Sequence, residues 1–217
     1  MRVLLIGFGA FGLWFARTMC ELGHEVIAIE RDGDLVDRYA DWASRVMVGD
    51  ATDPALLERV GAREVDAAVI GTAEALSTTI LATIALRDLG VRQIYAKVRS
   101  ENEARALEGL HITEAIFPER EAAFRLAHRI AMTSVLQYTP IAPGYSVQEM
   151  ACPDDWVGRT ILQIDPRTKL GIQVIAVKDA LTGDFKLPPD PTTIVKPSVT
   201  SASGRDEASR RARVSAS

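Results

Sequence analysis

The 217-residue sequence predicts an α/β fold, in which a doubly wound parallel sheet is followed by a long connecting helix and a small α+β C-terminal lobe. Short apolar, β-branched runs alternate with segments of helical period from residue 1 to about residue 136, a pattern typical of a parallel sheet covered by helices. From Tyr138 the composition changes, because Pro140, Pro143 and Gly144 open a segment with two short strand patterns. The sequence therefore predicts two lobes of unequal size.

Six strands are predicted in the first lobe, each with a helical segment after it. They lie near residues 3–6, 25–29, 45–48, 67–70, 93–97 and 115–117. Gly23, Gly61 and Gly90 stand where helices should end, because glycine accepts the left-handed backbone conformation without steric penalty. Asp53 and Pro54 supply an N-cap and a proline at the first helical position. These helix-starting and helix-ending residues thus agree with the alternation of strands and helices.

The connecting helix is predicted over residues 119–136 and carries an apolar face formed by Ala123, Leu126, Ala127 and Ile130. This face exceeds what one lobe needs, so we expect the helix to pack against a second copy of the chain.

The second lobe has strand patterns at 146–150 and 171–177, and the Ser/Ala/Arg-rich tail after it lacks an apolar period. The predicted division is 1–118 for the first lobe, 119–138 for the helix, 139–198 for the second lobe and 199–217 for a disordered tail.

Composition and charge exclude several classes of protein. Lys plus Arg total 25 against 29 for Asp plus Glu, and this net charge of -4 offers no electrostatic footprint for nucleic acid. The first apolar run is too short for a signal peptide or a membrane span. Cys20 and Cys152 show no metal-ligand spacing and are expected to be reduced, partly buried thiols. We expect a cytosolic protein without direct membrane insertion.

A glycine motif follows the first predicted strand directly. Gly7-Phe8-Gly9-Ala10-Phe11-Gly12 has the G-x-G-x-x-G spacing and opens the helix that ends near Leu22. In a dinucleotide-binding loop the first glycine permits the tight turn, the second lets the backbone approach a pyrophosphate, and the third lets helix and strand pack closely. The helix N-terminus then offers N–H groups to phosphate. The motif predicts a Rossmann-like lobe that binds an adenine nucleotide; the alternative is that these glycines only form a turn.

Two acidic residues follow the second and third predicted strands. Glu30 lies where a carboxylate accepts hydrogen bonds from ribose hydroxyls, although a solvated charge at a strand end is the alternative. A 2′-phosphate beside Glu30 would meet a repulsion of about 4 kcal/mol at about 4 Å and an effective dielectric of about 20. NADP is therefore disfavoured, while neighbouring Arg31 would lessen the repulsion. Asp50 is either an acceptor for the adenine amino group or a turn-forming aspartate.

The sequence lacks a recognisable catalytic constellation. None of the tyrosines has a lysine four residues later, so the Tyr-x-x-x-Lys dyad of short-chain dehydrogenases is missing. His24, His111 and His128 are isolated, and such histidines are more often structural than catalytic. Two alternatives to a non-catalytic regulator stay open. One is an NAD-dependent oxidoreductase using His111 or His128 as acid and base, and the other is an adenylate-binding protein with no membrane partner.

A series of short motifs extends this interpretation to nearly the whole chain, as far as about Pro197. They are IGFGAFG at 6–12, HEV at 24–26, GDAT at 49–52, AKV at 96–98, PER at 118–120, GRTI at 158–161, KLG at 169–171 and PP at 188–189. In this order they make the chain resemble the RCK-type regulatory, nucleotide-binding subunits of Trk/Ktr bacterial potassium uptake systems. The order of the motifs is much more specific than any one of them.

The resemblance implies a homodimer formed through the first lobes, with the helix after Pro118 crossing to the other protomer. It implies that dimers assemble into a ring, an octamer, beneath an integral membrane potassium-translocating subunit. The chain would then be cytoplasmic and peripheral to the inner face of the cell membrane. Members bind ATP, ADP or NAD(H) and gate potassium uptake through a ligand-dependent hinge.

The resemblance also implies which residues contact the nucleotide. They are Gly7, Phe8, Gly9, Ala10, Phe11, Gly12, Glu30, Arg31, Gly49, Asp50, Ala51, Lys97 and Glu119. Lys97 would lie near phosphate. Glu119 would hold a divalent or sodium cation between two nucleotides at the dimer interface, or else be a favourable acid in the first helical turn.

The sequence departs from the family in two places. Where ATP-responsive members carry an arginine inside the glycine loop, this chain has Ala10, which puts discrimination of ATP from ADP in doubt. The segment after Lys196-Pro197-Ser198 is far less apolar than the last strand of the family's second lobe, so this lobe is either incomplete or ends in a weak strand. Ile161, Leu162 and Arg167 resemble positions that contact cyclic di-AMP in some Ktr regulators. Weak binding or none is expected there.

Overall fold

A computed structural model describes residues 1–72, 75–131, 135–179, 182–196 and 198–205, the last range by its backbone. The chain forms two compact units, of which the first spans Met1–Arg120 and the second begins at Glu121. Cys20 and Cys152 are half-buried thiols.

The first unit alternates strands and helices along its whole length. Its strands are β1 (Arg2–Ile6), β2 (Glu25–Glu30), β3 (Arg45–Val48), β4 (Ala67–Ile70), β5 (Ile94–Lys97) and β6 (Glu114–Ile116). Its helices are α1 (Ala10–Glu21), α2 (Gly33–Tyr39), α3 (Pro54–Arg59), α4 (Leu76–Asp88) and α5 (Glu101–Glu108). Helix α6 begins at Pro118 and ends at Ala131. Each of the six predicted strands is present, with its ends within one residue of the prediction.

All six strands are parallel, in the order β3-β2-β1-β4-β5-β6. The order in which strands are added to the sheet reverses at β1, which lies between β2 and β4, as in a doubly wound fold. In register, Ile6 of β1 is opposite Ile29 of β2 and Ile70 of β4. The carboxyl ends of these strands therefore meet at one edge of the sheet, and the residues that follow each strand are brought together there.

Strand β1 shows why the sheet is covered on both faces. Leu4 and Ile6 belong to one apolar cluster, with residues of α3, α4 and α5. Val3 and Leu5 belong to another, with residues of α1. A strand buried on both faces is a nearly continuous apolar run, which is how β1 was recognised in the sequence.

The helix boundaries of the first unit have local causes. The Asp53 side chain accepts a hydrogen bond from the Ala55 amide, with Pro54 at the first position of α3, as predicted. Asp32 caps α2 in the same way. Backbone φ is positive at the three glycines predicted to follow helices, at +81° for Gly23, +83° for Gly61 and +90° for Gly90.

The second unit contains an antiparallel sheet in the order β10-β9-β11-β8-β7. The strands are β7 (Val135–Ala142), β8 (Tyr145–Ala151), β9 (Ile172–Asp179), β10 (Phe185–Lys186) and β11 (Ser198–Arg205). Two short helices, α7 (Ile161–Ile164) and α8 (Pro166–Leu170), precede β9. The core is small and consists of Trp156, Ile164, Ile172, Val174, Val177 and Val195. Together the two units confirm the predicted fold class.

The connecting helix is shorter than the sequence predicted. Helix α6 ends at Ala131, whereas the prediction extended it to Leu136. Val135 and Leu136 instead belong to β7, which pairs with β8. An apolar pair fits a helical stripe as well as a strand, so periodicity alone could not place this boundary. The predicted helix segment 119–138 is therefore too long, and the second lobe begins before residue 139.

The predicted disorder from residue 199 is wrong for residues 199–205. They form most of β11, which pairs with β8 on one side and β9 on the other. A strand between two neighbours satisfies its backbone hydrogen bonds on both edges, so it does not depend on an apolar alternation. The last strand of the lobe is therefore present. The rest of the predicted tail, 206–217, lies outside the described residues.

Candidate functional site

The residues that follow β1, β2 and β3 line one cavity at the carboxyl edge of the parallel sheet. Of the residues singled out from the sequence, Gly7, Glu30, Arg31, Gly49, Asp50 and Ala51 line it. The sheet register explains this convergence, because Ile6, Glu30 and Val48 all end their strands at this edge.

The three glycines of the motif differ in what surrounds them. Gly7 has φ of +96°, and a Cβ there would lie 2.9 Å from the Thr72 amide nitrogen. A Cβ on Gly12 would lie 2.0 Å from the Gly7 carbonyl oxygen, so α1 could not pack so closely on the loop. A Cβ on Gly9 would meet nothing within 4 Å. The fold therefore requires glycine at positions 7 and 12 but leaves position 9 open.

Helix α1 begins at this loop without a side-chain cap. Its N-cap is Gly9, which has no side chain to accept a hydrogen bond from the first turn. No acidic residue lies in that turn. The first N–H groups of a helix have no partner within the helix, and its N-terminus carries a partial positive charge. Both properties suit this end of α1 to an anion.

The aromatic residues of the motif serve the core rather than the cavity. The Phe8 side chain is fully buried beneath the sheet, and Phe11 packs partly against the same cluster. Ala10 is exposed at the start of α1. These positions can therefore offer backbone groups to a ligand, while the two rings hold the loop in place.

The Glu30 carboxylate closes the glycine loop onto β2. Its Oε2 accepts a hydrogen bond from the Phe8 amide at 2.5 Å. Its Oε1 accepts from the amides of Arg31 at 2.6 Å and Asp32 at 3.0 Å. A carboxylate has about four acceptor positions, so room for a ribose hydroxyl is left alongside these three bonds. Glu30 thus has a structural role that the sequence did not predict.

Asp50, which also lines the cavity, is held by two partners. Its Oδ1 accepts from both the amide and the hydroxyl of Thr52, at 2.9 and 2.8 Å. Its Oδ2 lies 2.6 Å from Nη2 of Arg31. The Thr52 hydrogen bonds, followed by the Arg31 guanidinium, lower the pKa of the Asp50 carboxyl below its usual value. Asp50 is therefore an ionised hydrogen-bond acceptor, and its bonds to Thr52 stabilise the turn after β3.

Two threonines that sequence reasoning missed also line this cavity. Thr72 follows Gly71 directly after β4, and Thr78 lies in the first turn of α4. The signal was present, because Gly71-Thr72 follows a fully buried strand, as Gly7 and Gly49 follow theirs. A hydroxyl here adds hydrogen-bonding capacity near the glycine loop.

Lys97 and Glu119 contact each other rather than the cavity around Gly7. Lys97 ends β5, and its Nζ lies 2.6 Å from Oε1 of Glu119 in the first turn of α6. The Lys97 side chain is 13% exposed and that of Glu119 is 68% exposed. The Lys97 hydrogen bond lowers the pKa of the Glu119 carboxyl. Lys97 lines a neighbouring cavity with Thr79 and Arg99.

The described residues contain no cluster of three or more His, Cys, Asp or Glu side chains that could hold a metal ion. Among those residues, Glu119 is therefore not part of such a cluster. Nor does any helix in the described part of the chain have the length and apolar character needed to cross a bilayer.

The three residues singled out in the second unit differ in their surroundings. Ile161 packs against the core, whereas Leu162 is 69% exposed. Arg167 lines an open cavity together with Tyr145, Ser146 and Gln173. Neither Ile161 nor Leu162 lines that cavity.

The two histidines proposed as acid and base belong to different units, since His111 lies in the first and His128 in the second. His111 is exposed, with φ of +55°, in the turn before β6, where the strand begins rather than ends. His128 lies in α6, where its ring stacks on Tyr138 at 4.4 Å and its Nδ1 is 2.9 Å from the Phe124 carbonyl oxygen. Within the first unit, His111 therefore lies at the opposite edge of the sheet from the residues that line the cavity.

Comparison with known proteins adds to this geometry. A family model described as the TrkA-N domain matches residues 3–118. Ktr system potassium uptake protein C of Bacillus subtilis (strain 168) is 34% identical over 174 residues, which are 80% of this chain and 79% of that protein. Ktr system potassium uptake protein A of the same organism is 26% identical over 192 residues, 88% of this chain and 86% of that protein.

Among solved structures, the GsuK RCK domain has a TM-score of 0.64 at 14% identity. The match covers 95% of this chain and 45% of the GsuK chain, so the present chain spans less than half its length. At this identity the match establishes a shared fold that includes both units.

Proposed function

The chain belongs to the TrkA-N domain family, and we propose that it is the nucleotide-binding regulatory subunit of a Ktr/Trk-type potassium uptake system. The observation that carries the nucleotide site is the space at Gly9, where a side chain would be tolerated by the fold. In a glycine loop between a parallel strand and the following helix, an open position of this kind lets the backbone approach a pyrophosphate.

The phosphate end of the ligand is assigned to the loop between β1 and α1. The uncapped first turn of α1, the absence of an acid there and the open face of Gly9 all favour an anion. Ala10 supplies no positive charge to a terminal phosphate. We therefore propose that ADP and NAD(H) bind at least as well as ATP within a single chain.

The adenosine end is assigned to the far wall of the cavity, lined by Glu30, Arg31 and Asp50. Glu30 has an acceptor position left for a ribose hydroxyl, and its negative charge disfavours a 2′-phosphate. The Arg31–Asp50 ion pair lies where the adenine ring would enter, so binding of adenine is expected to displace or reorient Arg31.

Lys97 and Glu119 are proposed to couple the ligand to α6. A phosphate that approached Lys97 would compete with Glu119 for the ammonium group, and Glu119 lies in the first turn of that helix. Ligands of different phosphate charge would compete to different extents. An effector shifts an equilibrium only as far as its affinities for the two states differ, and this competition supplies such a difference. A cation held between the Glu119 carboxylates of two protomers is a second way to couple ligand binding to α6.

The proposed assembly is a homodimer that extends to a ring and acts at the cytoplasmic face of a membrane-embedded potassium-translocating subunit. Helix α6 supports self-association, because Phe124, Leu126 and Ile130 are 42%, 46% and 69% exposed. No described side chain of α6 is buried within the single chain. The potassium uptake proteins that match most of this chain support regulation over an oxidoreductase activity.

The test of the site is a pair of glycine variants studied by calorimetric titration with ADP, ATP and NADH. We expect Gly9→Val to abolish binding while leaving the unfolding midpoint unchanged, since the added side chain enters open space that a pyrophosphate would need. Gly109→Val is the matched control, because Gly109 ends α5 and its added Cβ would make only an ordinary 3.7 Å contact. Identical isotherms for Gly9→Val and the wild type would remove the site from this loop.

The test of the coupling is small-angle scattering from samples saturated with ATP, ADP or NADH. We expect a dimer or larger ring whose profile depends on the ligand, and we expect Lys97→Ala and Glu119→Gln to reduce that dependence. A monomer, or superimposable profiles for all ligands, would exclude the proposed gating.

A further inference from the structure

An aromatic patch lies on the first unit and takes no part in the nucleotide cavity. It consists of Trp14 of α1, Tyr39 at the end of α2, and Trp42 in the short 3-10 turn that follows. The Trp14 and Trp42 rings are 5.6 Å apart and those of Tyr39 and Trp42 are 5.5 Å apart, both in edge-to-face geometry. Two elements distant in sequence thus build one continuous aromatic surface.

The two tryptophans of this patch lie outside the core clusters, whereas Tyr39 packs partly against one of them. Trp14 is 61% exposed, and Trp42 is only half-buried. Single exposed apolar residues are common, but adjoining exposed rings, especially tryptophan and tyrosine, are enriched where proteins bind one another. Trp14 contacts Trp42 within the chain but leaves most of its ring surface exposed, so the ring is available to a partner.

The rings already bind a guanidinium group. The Arg17 Cζ atom lies 5.1 Å from the centroid of Trp42 and 5.6 Å from that of Trp14. Arg17 is also paired with Glu21 at 2.9 Å, one helical turn further along α1. This is the geometry of a cation–π contact, so the patch has the shape and the electronic character to accept a cationic side chain.

The charges next to the patch favour a basic partner. Residues 33–42, which carry Tyr39 and Trp42, contain three aspartates against one arginine. Asp37 and Asp41, which flank Tyr39 in the sequence, are exposed. Such a surface would repel an anionic lipid headgroup and attract lysine and arginine.

We propose that the aromatic patch docks an arginine- or lysine-bearing cytoplasmic loop of the membrane partner. The inference rests on the proposed function, which provides that partner, and on charge complementarity, since cytoplasmic loops of membrane proteins carry an excess of lysine and arginine. An incoming guanidinium stacks on the exposed Trp14 ring, and its charge is balanced by the exposed Asp37 and Asp41. The nucleotide cavity and the docking surface then lie at different places on the same lobe.

The experiment uses the full chain and an acetylated peptide of alternating arginine and serine as the probe, with a glutamate–serine peptide as the charge-reversed comparison. Binding is followed at low salt by tryptophan fluorescence. Of the three tryptophans, Trp14 and Trp42 report on the patch, whereas Trp156 is 3% exposed in the second unit. We expect the arginine peptide to bind, the glutamate peptide not to bind, and added salt to weaken the interaction.

The deciding variant is Trp14→Ser, measured by calorimetry so that the readout does not depend on the missing ring. We expect it to weaken peptide binding about 3- to 30-fold, the range that one cation–π contact represents. Leu22→Ser is the matched control, because Leu22 is 66% exposed just beyond the end of α1 and lies outside the patch, and it should bind as the wild type does.

Equal affinity of Trp14→Ser and the wild type would overturn the proposal, as would equal binding of the two peptides or no binding of the arginine peptide. Binding to vesicles of anionic phospholipid that is lost in Trp14→Ser would also overturn it, in favour of a membrane surface. Nucleotide titration of the same samples separates the two proposals. If nucleotide binds and the peptide does not, only the docking surface fails; if no nucleotide binds to the wild type, the proposed function fails.

Discussion

The two sheets place very different strands at their centres. In the parallel sheet, β1 lies between β2 and β4, and four of its five residues are buried apolar side chains. In the antiparallel sheet, β11 lies between β9 and β8 but has the sequence Ser-Val-Thr-Ser-Ala-Ser-Gly-Arg. A central place in a sheet is therefore not evidence of an apolar strand. It requires only that the backbone be paired on both sides.

This difference predicts different sources of stability for the two units. The parallel sheet has an apolar cluster on each face, and burial of such surface is the main favourable term in folding. The described side chains of the second unit form one small cluster, and the sequence of the central strand β11 contains few apolar residues. We expect the second unit to depend more on its hydrogen-bond ladder and to open more readily than the first.

The largest expected effect comes from removing β11. Ending the chain at Lys196 leaves β8 and β9 without the strand that joins them, so the second unit should lose its fixed structure. Hydrogen exchange should show loss of amide protection in β8 and β9, with protection in β1 retained. A chain ended at Arg205 is the control and should behave as the full chain does. Unchanged protection in the shorter chain would show that β11 is dispensable.

A substitution that creates a cavity in the parallel sheet tests whether burial of β1 stabilises the first unit. Leu5 is fully buried in β1, so Leu5→Ala should destabilise the first unit by about 2–5 kcal/mol in urea unfolding followed by circular dichroism. Leu162→Ala removes the same atoms from a side chain that is 69% exposed, and its effect should be within about 0.5 kcal/mol. Similar losses for the two variants would contradict the description of β1 as the core strand.

A smaller effect is expected at the ion pair of the second unit. Lys196 Nζ lies 2.9 Å from Oδ2 of Asp179, whose side chain is 11% exposed at the end of β9. This contact raises the pKa of Lys196, so its stabilisation is complete below the usual lysine pKa and is lost as the pH rises through the raised value.

Lys196→Gln should therefore lower the urea midpoint of the second unit at neutral pH and flatten its decline at alkaline pH. Lys178→Gln, from an exposed lysine of β9, is the control. A variant that still declines as the wild type does would exclude Lys196 as the group that titrates.

The smallest effects on stability are expected at two equivalent aspartates. Each unit has an aspartate that is hydrogen-bonded to a threonine two residues later. Thr52 lowers the pKa of Asp50 in the first unit, and Thr192 lowers that of Asp190 in the second. The stabilisation is present above the usual aspartate pKa and is lost as the pH falls through the lowered value.

Asp50→Asn and Asp190→Asn should each reduce the acid sensitivity of the unit that carries the aspartate, measured as the urea midpoint between neutral and acidic pH. Both side chains are exposed enough for solvent to weaken the effect. Loss of acid sensitivity in the other unit would show that the two units do not unfold separately.

The strands that sequence reasoning found are those whose side chains carry a pattern. The six strands of the parallel sheet are short runs rich in apolar residues, and β1, β3 and β4 are followed directly by glycine. All six were located to within a residue. Strand β11 has no such pattern and was missed. At Val135 and Leu136 the pattern was present but ambiguous, and the helix was extended too far.

Some residues of the candidate site could likewise be predicted from the sequence and others could not. The residues directly after β1, β2 and β3 could be assigned to one cavity, because parallel strands end at a common edge. Thr72 and Thr78 were missed, since threonine is common in loops and helices and no motif marks them. The roles of Lys97 and Glu119 were inferred separately, and only the structure shows that the two groups bind each other.

The amino-acid sequence by itself determined the elements of the first unit, the glycine turn and the edge at which a ligand would be held. Each depends on neighbours in sequence: the period of apolar residues, the φ of a glycine or an N-cap. Tertiary structure alone decided the central position of β11, the closure of the loop by Glu30 and the Lys97–Glu119 pair. These depend on hydrogen bonds and charges between residues far apart in the chain, and such contacts leave no local pattern because many residue types can make them.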